Sequence, residues 1–210
     1  MFGIINYEMY LVSCIILSLI PGTDTMFILG QSIANDRKTG MFSVFGMGSG
    51  IIVHTMFVSL GLSVLLKNSP VAFNIVKILG STYLIYMGIK SFISQKSVLS
   101  DDLKQTKGTL RKAYIQGMIT NVLNPKVALF FLAFLPQFVN PEKNYGVFTF
   151  ILLGLTSFVC STTWGIFLSF SASKVAELFK KKKGFGKAVN KISGSIFIIL
   201  GLNLLRTKLM

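Results

Sequence analysis

Charge and cysteine are scarce in this chain. Its 210 residues hold seven Asp and Glu, one His and two Cys, and only 13% of them are charged. A soluble domain carries roughly twice that charged fraction. An inorganic-cation site draws on several converging carboxylates, histidines or thiolates, which so small a stock hardly supplies. Cys14 and Cys160 stand in separate apolar segments with no C-x-x-C or Cys/His spacing, so they read as small hydrophobes. No cleavable signal peptide is evident either. Met1 to Tyr10 has no basic n-region, and Glu8 is its one charge.

Apolar residues make up 52% of the chain, with 19 Phe among them. They gather in runs of about twenty, the length that crosses a ~30 Å hydrocarbon layer at ~1.5 Å per residue. Six such runs are predicted as membrane spans: Tyr10–Ile33, Phe42–Leu66, Val71–Ile93, Ala113–Val139, Tyr145–Ser171 and Ala188–Leu205. These runs exclude a soluble enzyme.

The net charge of +14 suggests nucleic acid at first sight, but its distribution excludes that reading. Six spans place the loops alternately on two sides. One side receives Arg37 and Lys38, then Lys90, Lys96, Lys104, Lys107, Arg111 and Lys112, then Lys174, Lys180 to Lys183, Lys187 and Lys191. The other has only Lys67, Lys143, Arg206 and Lys208. Cytoplasmic loops are enriched in Lys and Arg, so the crowded side is cytoplasmic, beside anionic lipid, and both termini face outward. Val175, Ala176, Leu178 and Phe179 beside the lysine run predict a short amphipathic segment on the inner leaflet.

The spans divide into two triplets, residues 1–93 and 113–210, joined by a polar, mobile linker over 94–112. An odd number of spans per triplet makes the second enter the membrane from the opposite side. The fold expected is therefore an all-α integral membrane protein of six transmembrane helices, arranged as two inverted three-helix repeats. Gly80 to Gly88 and Gly194 to Gly201, on the third and sixth spans, are a matching pair of features, and Gly46 and Gly50 on the second favour close helix approach. The first and fourth spans are each broken near the midplane, at Pro21-Gly22-Thr23-Asp24 and at Asn124-Pro125-Lys126. Proline removes a helical N–H and clashes one turn back. In lipid such a break survives only where protein groups or a watery cavity satisfy the freed backbone. Matched breaks in two halves point to the substrate site of a secondary transporter.

Ionisable groups inside spans are expensive and face a protein interior or cavity. Four lie well away from the span ends: Asp24, His54, Lys77 and Lys126. Asp24 reads either as an N-cap of the resumed helix or as a coupling group. Asn124 at N-cap and Pro125 at N1 start a helix whose positive end attracts anions, and Lys126 reinforces it or pairs with Asp24. Both breaks lie about 16–18 Å deep, so Asp24 and Lys126 differ in depth by roughly 6 Å. That gap suits a zwitterion, with ammonium toward Asp24 and carboxylate toward Lys126. His54 is either an interhelical hydrogen-bond donor or a proton-coupling group. Lys77, nearer the outer face, either snorkels, pairs or meets substrate. Trp164 and Tyr145 are expected to pack or to anchor near the interface.

Pro21-Gly22-Thr23-Asp24-Thr25, Gly40, Gly46 to Gly50, His54, the stretch from Lys77 through Gly80, Tyr83 and Tyr86 to Gly88, Asn124-Pro125-Lys126 and Phe131 to Phe138 resemble, in order and spacing, the LysE/RhtB family of amino-acid exporters. One departure is Thr23, where that family usually has the second proline of Pro-Gly-Pro. The resemblance implies six hydrophobic segments, a bacterial inner-membrane location, and efflux of amino acids or related metabolites driven by the proton gradient. The implied partners are a small-molecule substrate, protons and membrane lipids, without cofactor, metal or nucleic acid; a homo-oligomer stays open. Two other functions compete with this one. An inorganic-cation exporter lacks converging ligands, and a membrane thiol oxidoreductase using Cys14 and Cys160 lacks anything that lowers a thiol pKa.

Overall fold

The computed structural model describes residues 2–62, 70–93, 109–140, 145–181 and 184–206. Their regular elements are helical throughout: α1 (Tyr7–Leu19), α2 (Thr23–Ala34), α3 (Arg37–Phe57), α4 (Pro70–Ile93), α5 (Leu110–Val122), α6 (Pro125–Leu129), α7 (Val147–Lys181) and α8 (Phe185–Arg206). Each predicted span has its counterpart in one helix or one bent pair. Three helical stretches, Arg37–Gly61, Val147–Val175 and Gly186–Arg206, are long and apolar enough to cross a membrane, and up to five segments qualify if each bent pair is one span. The third predicted span corresponds to α4, whose 24 residues measure about 36 Å.

Both breaks fall where proline interrupts the ladder. α1 and α2 meet at 50°, and α5 and the segment beginning with α6 meet at 49°. The second is capped as the sequence predicts: Asn124 is the N-cap, Pro125 follows it, and Asn124 Oδ1 accepts from Lys126 N at 3.0 Å. At the first the N-cap is Gly22, with no side-chain cap. Asp24 lies within the first turn of α2 and does not cap it, leaving its carboxylate for other partners. Asp36 instead caps α3, accepting from Thr39 N at 2.6 Å. That bond holds its carboxyl below the ordinary Asp range.

Four expectations change in detail. The fourth span is not α-helical to its end: after α6 come a π turn (Phe130–Phe134) and a 3₁₀ turn (Leu135–Phe138). Pro136 explains this, since it lacks the N–H that would return to Leu132 and its ring crowds that carbonyl. α3 likewise passes into a π turn at Val58–Leu62, and positions 63–66 of the second predicted span lie outside the described residues. The amphipathic segment predicted over 175–179 is no separate helix. α7 runs unbroken to Lys181, because no Gly or Pro occurs between Gly165 and Gly184 to stop it. The linker over 94–112 lies outside the described residues as far as 108, and its last three, Leu110 to Lys112, already belong to α5.

The halves interlock. α3 packs along α5, α4 along α8, and α1, α2 and α3 all pack on α7. Bare backbones permit this closeness. A Cβ on Gly46 would collide with the Tyr114 carbonyl, one on Gly117 with the Ser43 carbonyl, and one on Gly88 would sit 2.8 Å from the Gly194 carbonyl. The glycines expected to draw helices together therefore do so. The N-terminal residues pin α1 to the second half, with Ile5 N donating to Phe138 O at 2.9 Å and Asn140 N to Gly3 O at 2.8 Å.

Two apolar clusters bracket the interior. One holds Tyr10, Cys14, Ile51, Val127, Phe130, Phe131, Phe134 and Phe138; its Tyr10 and Phe138 rings lie 5.1 Å apart. The other holds Ile28, Leu29, Val44, Met47, Leu168 and Ala172, with Trp164 against it.

Candidate substrate-binding site

Each broken helix is repaired by a side chain from the other half. Pro21 cannot donate to Leu17 O, and the break also leaves Ile20 O without its helical partner. Lys126 Nζ fills both places, donating to Leu17 O at 3.2 Å and to Ile20 O at 3.0 Å. At the second break His54 Nε2 donates to Asn121 O at 3.3 Å, and the imidazole stacks on Phe131. The α1 carbonyls would otherwise cost several kcal/mol in a medium without water, whereas the Asn121 carbonyl also accepts from Asn124 N at 3.0 Å. His54 thus makes an interhelical hydrogen bond and also acts electrostatically on Asp24.

Asp24 receives Asn121 Nδ2 on Oδ2 at 3.1 Å; its buried Oδ1 makes no full hydrogen bond, although the Asn124 side chain also acts on the carboxylate. Lys126 and His54 both act electrostatically on this carboxylate, yet Lys126 forms no ion pair with it, its ammonium being turned to the α1 carbonyls. Gly22 lies beside the ammonium, and a Cβ there would be in ordinary contact with Nζ at 3.5 Å. Thr23 begins α2 between the proline break and Asp24.

Asp24, Thr25 and Lys126 line a cavity together with Cys14, Ser157, Ser161, Thr162, Trp164 and the apolar side chains of both clusters. It encloses about 50 Å³. That is room for a few water molecules but falls short of the roughly 300–1,000 Å³ of open small-molecule pockets. Thus Asp24 and Lys126 come together as expected, with Asn124 immediately behind them as the cap. Lys77 does not line this cavity; it is buried on α4, so it does not snorkel at a lipid face. Of the two cysteines, Cys14 faces the cavity, 3.3 Å from Ser157 Oγ, and both are free thiols.

Three contributors escaped the sequence reading. Asn121 joins both breaks, its amide on Asp24 and its carbonyl on His54, and the signal was a carboxamide one turn before Pro125 deep in an apolar run. Tyr10 is fully buried, with its hydroxyl donating to Leu153 O at 2.9 Å and lying 2.6 Å from Ser157 Oγ. The cavity face of α7 was signalled by small residues at four-residue spacing, Ser157, Ser161 and Gly165.

The description "LysE type translocator" matches residues 15–208, nearly the whole chain. The chain belongs to this family. Relatives of the translocator include a leucine efflux protein of Klebsiella pneumoniae, 32% identical over 200 residues that cover 94% of this chain and 93% of the relative. A leucine efflux protein of Salmonella typhimurium is 29% identical over 197 residues, covering 94% and 93%. An uncharacterized membrane protein of Bacillus subtilis, YrhP, is 31% identical over 192 residues, covering 88% and 90%. No solved structure matches this translocator. Its place is in a membrane, as the apolar spans predict. Among the described residues no group of three or more His, Cys, Asp or Glu converges on one point.

Proposed function

We propose that the protein exports a neutral amino acid from the cytoplasm in exchange for protons, with Asp24 and Lys126 as the substrate and coupling site. The observation that carries this reading is Asp24 Oδ1, which makes no full hydrogen bond, in a cavity shared with a lysine ammonium. A carboxylate oxygen in that position takes either a proton or a substrate ammonium, and one excludes the other. Such competition is the elementary form of antiport. Lys126 spends two of its three N–H groups on α1, and the third is available to a substrate carboxylate. Asn124 fixes the helix start on which Lys126 sits, while His54 and Asn121 hold Asp24 in place. Lys77, buried on α4 and outside the cavity lining, is given no role in this proposal.

The apolar cavity walls, with Ile28, Met47, Ile51 and Phe131 among them, suit an uncharged side chain, and leucine is the first compound to test given the relatives' names. In proteoliposomes with an imposed pH gradient, labelled leucine should move against the proton flow, and a protonophore should abolish accumulation. Movement of no amino acid under the gradient would refute the reading.

The inverted three-helix repeat fits the packing. Exchanging the two halves converts the α3–α5 pair into that of α7 with α1 and returns the α4–α8 pair to itself. For orientation we propose both termini outside. Cysteines placed at Ser97, outside the described residues, and at Ser173, exposed on α7, should resist a membrane-impermeant thiol reagent in intact cells and react after permeabilisation. Ready labelling of intact cells would reverse the topology.

A further inference from the structure

Aromatic rings close one end of the cavity. Phe130 and Phe131 line it, and beyond them Tyr10 lies 5.9 Å from the Phe130 ring and 5.1 Å from the Phe138 ring. Tyr10 is fully buried, and its hydroxyl is 2.6 Å from Ser157 Oγ in the cavity wall. A strap of residues 2–6 lies against this cluster through Ile4. Ile4 pairs with Val139 in an isolated antiparallel bridge, flanked by the Ile5–Phe138 and Asn140–Gly3 backbone bonds. On its other side the strap is fastened to α7. Thr149 Oγ1 donates to Phe2 O at 2.8 Å, and the Phe2 ring packs edge-on against Tyr145 and Phe148. α1 continues that attachment, with the Tyr7 and Thr156 hydroxyls 3.1 Å apart and the Tyr10 hydroxyl donating to Leu153 O.

The two joints are unequal. Side chains along α7 hold the strap and α1, whereas the bridge and the ring contacts join them to residues 130–140. An isolated strand pair is marginal in water. The segment it secures is built of π and 3₁₀ turns rather than α-helix, and π turns recur at functional sites. Phe2 at φ 52° and Asn6 at φ 49° hold left-handed conformations, uncommon for Phe, that persist only while neighbours enforce them. We propose that the strap is the latch of a gate: residues 130–140 swing away from α1 and α7, the Ile4–Val139 pair parts, and separation of Tyr10 from Phe138 opens the cavity. The inference rests on the reading of the cavity as a transport site. With both termini outside, this gate is the exit of the exported amino acid. The passage from α6 into the π turn at Phe130 is the hinge, so Lys126 keeps its place on the α1 carbonyls while the segment beyond it moves.

The bridge itself provides the test. Ile4 and Val139 face each other without bonding directly, a pairing in which Cα atoms lie about 4.5 Å apart. A disulfide spans roughly 4.4–6.8 Å between Cα atoms, and neither residue lines the cavity. The full-length double variant Ile4→Cys/Val139→Cys is assayed in proteoliposomes, reduced and after mild oxidation. Labelled leucine is the first probe, and any other amino acid moved by the wild type serves equally. Reduced protein should export within about twofold of wild type, which also certifies its fold. Oxidised protein should export at least about tenfold more slowly and recover when reductant is added. Its substrate binding should stay within about threefold, because the opposite end of the cavity is free to open. Full efflux with the cross-link in place would overturn the latch and leave the transport reading intact, and a cross-link that never forms would deny the pairing. If the double variant fails to fold, Val139→Cys alone carries the test. Its buried thiol should react with a water-soluble maleimide at least about fivefold faster during turnover than at rest, and equal rates would overturn the latch. Wild type that moves no amino acid would instead remove the transport reading, and the latch with it.

Discussion

Replacing Asp24 with asparagine is expected to leave insertion near normal and to abolish proton-driven efflux. The substituted side chain keeps the shape and still offers Asn121 an acceptor, so the 3.1 Å contact survives. It removes the charge, and with it the oxygen that exchanges a proton for a substrate ammonium. Losing a charge-assisted hydrogen bond of about 1.5–3 kcal/mol weakens substrate affinity by roughly 10- to 150-fold. Coupling should fail more completely, since among the described residues no other carboxylate lines the cavity. Efflux from preloaded proteoliposomes, with and without a pH gradient, measures both effects. Accumulation at the wild-type rate by Asp24→Asn would leave this carboxylate a purely structural partner of Asn121.

The second large effect is expected at Lys126. Lys126→Gln should weaken binding of the native amino acid much more than binding of its amide, which lacks the carboxylate. Ammonium and helix N-terminus both favour negative charge where water screening is weak. The substitution also disturbs the cap on Leu17 O and Ile20 O, but that cost falls on acid and amide alike and cancels in their ratio. If Lys126 served only to neutralise Asp24, then Lys126→Gln together with Asp24→Asn would restore function. Acid and amide affinities of the wild type, both single variants and the double variant separate the two ideas. An equal loss for acid and amide, with rescue in the double variant, would dispose of the carboxylate role.

The breaks were legible because proline acts locally. Pro21 and Pro125 interrupt the helical ladder whatever packs around them, and the Asn124 cap needs only its own neighbours. The close approach of helices at Gly46 was legible too, since a missing Cβ implies a backbone nearby. Which backbone it was, that of Tyr114, depended on how α3 crosses α5. Where local rules compete, the outcome was harder to read. The apolar run after Pro125 looks like uniform helix, yet Pro136 loosens it into π and 3₁₀ turns. The lysine-rich stretch after Ser171 looks like an interfacial element, yet good helix formers without a breaker carry α7 straight through it.

Periodicity, length and charge let the sequence by itself determine helices of bilayer length, two breaks at matching places, a lopsided distribution of lysine, and a short list of charges that must face inward. Those properties belong to the chain one segment at a time. Pairing across the halves belongs to the tertiary structure alone. Only the packing of α3 on α5 brings His54 to the Asn121 carbonyl, and only the approach of α6 to α1 lays Lys126 on the carbonyls that Pro21 leaves bare. Nothing in a linear pattern says which distant donor will meet a freed carbonyl, because any donor within reach satisfies it equally well. The fold decides by placing one there and excluding the rest.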